Sequence, residues 1–501
     1  MKIVTAIVAV LFLFSAEGGL AGQFVVNAAG DAHDLSPGDG ACAADDLSGC
    51  SLRSAIEEAN NLIGPDTIII SSTVGLVTLS QGTLVLTDNA TMIRGEAIGV
   101  VIDGFLNIAG SAIFSLRSDS NAITGLTLKR SRADGMLIIG AGNVVGGPQE
   151  SDEVILIQNG LDPIESAAIR ISGSRAVGNR ILGCTIGTNH DDDENFSNRQ
   201  GLVIEQNASG TVIDDCLISG NTGWGIQIRA RAHDNTVRQS KIGLDRSGLY
   251  ALANGSGGIL ISGGAHDNTI GELIDTFLNV VSGNSGDGIC IAGVGTSGNR
   301  IIGTVIGLDA TAVTSLGNGG AGVHFADRCT DNTLGGSEPE ARNLIGGNWL
   351  DGVLMEGAGT SANRVIGNWI GIAANAFRAR SNGLVMGNGI SIRDQAGQNE
   401  IGGPLPGERN VIAGEQAHAI LLTGAGTSHN RIRGNFIGIN PTGQYSFYNG
   451  SGVVVRDGAT HNTIGGSGPG DRNVISGSAN EVYPYGGGVM LYDEGTSYNI
   501  I

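Results

Sequence analysis

A nine-residue signature recurs along this chain and constrains its fold more than any other feature. It reads Asn-Arg-Ile-Leu-Gly-Cys-Thr-Ile-Gly from Asn179 and returns in variant form from Asn235, Asn299, Asn363 and Asn430. A sixth copy opens at Asn499, and the sequence ends three residues into it at Ile501. Successive starts lie 56, 64, 64, 67 and 69 residues apart. A second signature, Asn-Thr-Ile-Gly or a close variant, is interleaved from Asn268, Asn332, Asn399 and Asn462 at intervals of 64, 67 and 63. Such periods mark an array in which each unit buries its apolar face by stacking on the next. The super-repeat of about 64 to 69 residues holds two related units.

Within a unit the apolar residues fall in three short segments. From Asn363 these are Arg364-Val365-Ile366, then Trp369-Ile370, then Ile390-Ser391-Ile392. Each alternates with period 2 and is bounded by Gly or Asn, which is the chemistry of strands and turns. None is long enough for a helix. One unit therefore supplies one three-strand coil, stacked about 4.8 Å from the next by parallel pairing. Composition agrees: 84 of 501 residues are Gly and 41 % are hydrophobic, but only 4 % are aromatic, so the core is narrow and aliphatic. The fold class that follows is all-β, a right-handed parallel β-helix of the pectin-lyase-like type. A leucine-rich solenoid is the distant alternative, because the Leu spacing that it requires is missing.

The residue two before the inward Ile or Val of the second strand follows its own pattern. It is Cys184, Cys216, Ser240, Asn279, Thr304, Asn343, Asn368, Asn410, Asn435 and Asn473 in turn. Asn stacked on Asn can pass a side-chain amide hydrogen bond from rung to rung, so this register predicts an internal structural ladder rather than a ligand site.

The N-terminal part differs from the repeats. Lys2, the apolar run Ile3 to Phe14 and the small residues at Gly19 and Ala21 read as a signal peptide over residues 1–21. No second long apolar run follows, so no membrane span is expected. Export permits disulfides, and Cys42 and Cys50, close together in a polar loop, are the expected pair. The fates of Cys184, Cys216, Cys290 and Cys329 stay open at this level. Ser51 caps an expected helix through Leu52, Ala55, Ile56 and Ala59, ended by Gly64-Pro65. Residues 22–65 thus read as a cap, and 66–501 as the β-helix.

The string Cys50-Ser51-Leu52-Arg53-Ser54-Ala55 closely resembles the CSLREA-type N-terminal motif of secreted bacterial right-handed parallel β-helix repeat proteins. Ser54 departs from that motif, which usually has Glu or Asp there. The repeats from Asn299 onward, and Gly-Glu-Arg-Asn from Gly407, are similar to those of the same proteins. The resemblance implies export and fold. It says little about activity, since such rods host many functions.

Candidate chemistry is sparse. Asp214-Asp215-Cys216 resembles the Asp-Asp-Cys element of polygalacturonases, whose paired carboxylates act as acid and base. The accompanying elements of that site are absent, which favours a turn acid pair over catalytic residues. Asp191, Asp192, Asp193 and Glu194 form the densest acidic run, in a loop that could hold calcium. Arg229, Arg393 and Arg456 share one register after the third strand and could grip an anionic sugar. Ser262, Ala292, Ala326, Glu356 and Thr423 share that register and break the stripe, and Asp394 and Asp457 are placed to pair with two of the arginines or to shape turns. His324 and His429 read as isolated. The formal charge of −20 disfavours nucleic acid or an anionic membrane as partner.

The expected role is therefore an extracellular or cell-surface binding, adhesive or structural rod. Its candidate partner is a polysaccharide or cell-surface glycan. The alternative is a polysaccharide lyase, glycoside hydrolase or epimerase acting on an outer face. The signature cut short at Ile501 suggests that further coils follow.

Overall fold

The computed structural model describes residues 21–97, 99–162, 165–189, 196–274, 279–383, 387–478 and 486–501. The leader up to Leu20 and the acidic run Asp191, Asp192, Asp193 and Glu194 lie outside them.

The chain winds into a right-handed parallel β-helix of three long sheets. The first sheet has 15 strands, from Gln23–Val26 to Thr463–Ile464; the second has 14, from Leu76–Thr78 to Val474–Ile475; the third has 14, from Leu84–Leu86 to Val489–Leu491. Each strand pairs in parallel with the strand of the same sheet one coil earlier and one coil later, so the chain visits the sheets in rotation. The register stacks like on like. Ile181, Ile213, Val237 and Ile270 follow one another inward in the first sheet. Ile186, Ile218, Ile242 and Val281 do so in the second. All are fully buried. Such aliphatic columns make a continuous core that no single coil could bury.

The corner between the first and second sheets needs a left-handed residue. Gly183, Asp215, Gln239, Gly303 and Gly367 stand there with φ between +51° and +73°. Glycine takes that conformation at no steric penalty, which explains its recurrence in the signature.

Three polar ladders line the corners. In the first, the Asn that opens each signature donates its Nδ2–H to Oδ1 of the Asn one coil on, unbroken from Asn235 through Asn299 and Asn363 to Asn499. Thr211 interrupts this column, and its hydroxyl has no partner among the described residues. In the second, Asn343, Asn368, Asn410, Asn435 and Asn473 are linked in the same sense, with Asn279 donating to Thr304. The third runs from Asn159 through Asn198, Asn221 and Asn254 to Asn382, which donates to Glu415. Cys184 and Cys216 hold adjacent rungs of the second ladder as buried free thiols. Their mutual hydrogen bond, with burial, pushes the Cys184 thiol well above the usual thiol range.

The N-terminal end is closed by the helix Leu52–Ala59, whose buried face packs on the first coils. Ser51 caps it reciprocally with Ser54: Ser54 N–H donates to Ser51 Oγ at 3.0 Å, and Ser51 N–H to Ser54 Oγ at 2.9 Å. Ser54 thus does with a hydroxyl what a Glu at this position does in a capping box. Arg53 ties the helix to the rod, pairing with Asp31 at 2.9 Å and donating to Gly82 O at 2.8 Å. Cys42 and Cys50 are joined in a disulfide across a sequence separation of 8. Closing so short a loop is worth about 2–3 kcal/mol in the chain-entropy model. A Cys42→Ala/Cys50→Ala variant is expected to lose that much in denaturant melts. Non-reducing peptide mapping should recover the linked pair, and free thiols at both positions would overturn it.

Candidate functional site

The corner between the second and third sheets carries the longest connections. Several close as small antiparallel loops, Leu244 bridging Ala251, Leu308 bridging Ser315, Ile372 bridging Ala379 and Ile439 bridging Ser446. In three of them an Asp or Asn side chain holds the turn. Asp245 accepts from Leu249 N–H and Tyr250 N–H at 3.0 Å, Asp309 from Val313 and Thr314 at 3.0 Å, and Asn440 from Gln444 and Tyr445 at 3.0 and 3.2 Å. Acidic residues at this loop position thus have a structural task.

The same corner collects most of the exposed aromatic side chains, although Tyr492 and Tyr498 lie elsewhere. Phe105, Tyr250, Trp349, Phe377, Tyr445 and Tyr448 are all exposed, and all lie between a second-sheet and a third-sheet strand. Phe377 and Tyr445 meet edge to face at 5.9 Å. Trp224, half-buried, opens its third-sheet strand beside this corner. Its ring lies across Gly257, where an added Cβ would fall 2.4 Å from it.

The outer face of the third sheet beside this edge mixes apolar residues, such as Leu260, Leu354 and Leu421, with polar ones that are paired among themselves. Gln200 Oε1 accepts from Trp224 N–H and Gln227 Nε2 at 2.9 and 2.8 Å. Arg170 pairs with Asp134 and Glu205 at 3.0 and 2.8 Å. The three arginines in register are committed to carboxylates. Arg229 pairs with Glu205 and Glu165, Arg393 with Glu356, and Arg456 with Asp457 at 3.3 Å. Glu205 and Glu356 stand one coil earlier in the arginines' own column and Asp457 follows Arg456 directly, so the arginines present no free basic stripe.

Neither histidine is isolated, which corrects the expectation from sequence. His429 stacks on His461, and His461 on Tyr498, along one turn. His324 stands on the outer face of the third sheet in direct register with Cys290 one coil earlier. Its Nδ1 lies 2.9 Å from Asp287 Oδ2 and its Nε2 3.2 Å from Glu356 Oε1. Burial alone would lower the His324 pKa; hydrogen bonding to Asp287 and Cys290 outweighs it and raises the pKa to about 10. Burial pushes the Cys290 thiol up, with His324 opposing. The residue numbers 287, 290, 324 and 356 gave no motif, because coils of unequal length separate them.

Asp214 and Asp215 are turned to different partners. Asp214 points from the first sheet to Arg238 at 2.6 Å. Asp215 occupies the left-handed corner that glycine holds elsewhere and lines a cavity of roughly 160 Å³ with Glu153, Lys241, Arg246 and Gln149. Burial raises its pKa, with Lys241 opposing. Across the cavity Glu153 meets Arg246 at 2.8 Å.

No helix among the described residues is long and apolar enough to cross a membrane. No family model matches the chain, and no curated protein matches it. Solved structures do resemble it in architecture. One is the A-module of a mannuronan C-5 epimerase from Azotobacter vinelandii, at 14 % identity and TM-score 0.43, covering 85 % of this chain and 97 % of that one. The Dettilon tailspike protein is similar at 15 % identity and TM-score 0.43, over 87 % of this chain and 63 % of that one. A pectate lyase is similar at 14 % identity and TM-score 0.35, over 76 % and 78 %.

Proposed function

We propose that the protein is an exported rod that binds a neutral polysaccharide along the edge between its second and third sheets. One observation carries this: in a chain with 4 % aromatic residues, six of the eight exposed aromatic rings among the described residues gather on a single edge. Those from Tyr250 to Tyr448 fall within about seven coils, or roughly 30 Å of rod. Separate rings with polar groups between them suit a sugar chain, whose C–H faces stack on aromatics while its hydroxyls meet side-chain amides. The neutrality of the ligand follows from charge. The face arginines are already paired and the chain carries −20, so a polyanion would be repelled.

The test sets neutral polysaccharides such as glucan and xylan against alginate and polygalacturonate, scored for binding and for cleavage. Binding should favour the neutral polymers. Phe377→Ala and Tyr445→Ala should each weaken it about 5- to 30-fold, the equivalent of ~1–2 kcal/mol per ring. Tighter binding of the acidic polymers, or no change in the ring variants, would sink the reading. The enzyme reading rests on the Asp215 cavity, and sugar cleavage lost in Asp215→Asn would favour it instead.

A further inference from the structure

We infer that Asp287, Cys290 and His324 form a binding site for a divalent first-row transition ion of the zinc class, on the outer face of the third sheet. One donor atom from each lies within 4.8 Å of the other two. Tetrahedral zinc holds mixed O, N and S donors roughly 3.3–3.7 Å apart, so small side-chain rotations close the cluster. The donor set is one that zinc and cobalt(II) share, a thiolate, an imidazole and a carboxylate, with a fourth position left for water.

The surroundings are built for it. Cys290 and His324 sit on paired strands, which fix their spacing better than loops would. Asp287 is aimed by its other oxygen, since Oδ1 accepts Ala321 N–H at 2.8 Å and Oδ2 faces His324 Nδ1. The far nitrogen of His324 lies 3.2 Å from Glu356 Oε1, outside hydrogen-bond geometry but within reach of it on a small ring rotation, and Glu356 is in turn held by Arg393 at 2.7 Å. A carboxylate on the distal imidazole nitrogen is the usual support of a metal-bound histidine. A plain ion triad of His324 between two carboxylates would need no thiol. Yet Cys290 stands where Leu260 and Leu354 occupy the same outward column. Among the described residues the other free cysteines, Cys184, Cys216 and Cys329, belong to the main core. This inference does not depend on the polysaccharide reading.

The experiment uses the full chain, stripped with chelator and titrated with zinc(II) and cobalt(II). Expected is one ion per chain, visible cobalt bands of tetrahedral intensity, and a near-ultraviolet thiolate-to-cobalt band. Cys290→Ser should abolish the thiolate band. Glu356→Gln should weaken zinc about 10- to 100-fold, and Cys329→Ser should change nothing. Zinc should raise the melting temperature of the wild type but not of His324→Leu, a variant that copies Leu354 of the next rung and so keeps the fold. Failure of the wild type to take up a stoichiometric ion, or a thiolate band that survives Cys290→Ser, would overturn the site.

Discussion

Replacing Glu415 with Asn is expected to stabilise the protein at alkaline pH by on the order of 4 kcal/mol. Glu415 is fully buried in the third ladder, where every neighbouring rung from Asn159 to Asn382 is Asn. Its oxygens accept Asn382 N–H and Nδ2–H at 2.8 and 3.0 Å, but it has no amide to donate onward. Burial, with the charge of Asp351 adding, pushes its carboxyl up to about 8 against hydrogen bonds that oppose the shift. Between the ordinary value of 4.5 and about 8 the folded chain therefore keeps a proton that the unfolded chain has lost. Stability should fall as pH rises through that window. His324, raised from 6.5 to about 10, acts in the same direction but only above pH 6.5. Asp66, raised by burial to about 6, and His418, lowered by burial to about 4, also titrate near this window but do so in both proteins. The stability difference between wild type and Glu415→Asn in denaturant melts therefore isolates Glu415, and it should widen from pH 5 to 6.5 by about 1.4 kcal/mol per pH unit. An equal slope in both proteins would count against this assignment.

The second large effect is expected from Asn410→Leu, a loss of roughly 2–5 kcal/mol. Asn410 accepts Asn368 N–H and Nδ2–H at 3.0 and 3.2 Å and donates to Val365 O and Asn435 Oδ1 at 2.7 and 3.0 Å. Leu would remove all four and strand buried donors on Asn368, each unsatisfied group being worth about 1–3 kcal/mol. Stability in a stacked array is set by neighbouring interfaces, so the damage should be local. Hydrogen exchange should quicken around Trp369–Ile370 and Phe436–Ile437 before it does at distant coils. A melting curve unchanged by the substitution would place Asn410 outside the ladder.

Much of the architecture could be read from the repeats because period-2 Ile and left-handed Gly act locally. The register of the second ladder was also visible, since its residues stand at a fixed distance from a recognisable Ile. The first ladder was hidden in plain view: the Asn that opens each signature looked like a turn boundary, and only stacking shows it bonded to its own copies. The third was obscured by loops of variable length, and Glu415 within it carried no local mark. The candidate site was harder still. Asp287, Cys290, His324 and Glu356 come together only once coils of unequal length are laid on one another. The exposed rings are too few and too scattered in sequence to show that they share an edge. Arg229, Arg393 and Arg456 were found in one register with Glu356, which pairs with Arg393 from one coil earlier, whereas Glu165, a further partner of Arg229, lies in a loop that the register does not reach.

The ladders also give the rod an electrical direction. Every linked amide in all three columns offers its N–H toward the C-terminal end and its oxygen toward the helical cap. An amide group carries a dipole of about 3.5 D, and aligned amides add head to tail. Neighbouring bonds in such a chain also polarise one another. The ladders therefore contribute an axial dipole that is positive toward Asn499. This contribution belongs to the side chains, because the backbone bonds of the parallel sheets, running both ways between coils, largely cancel.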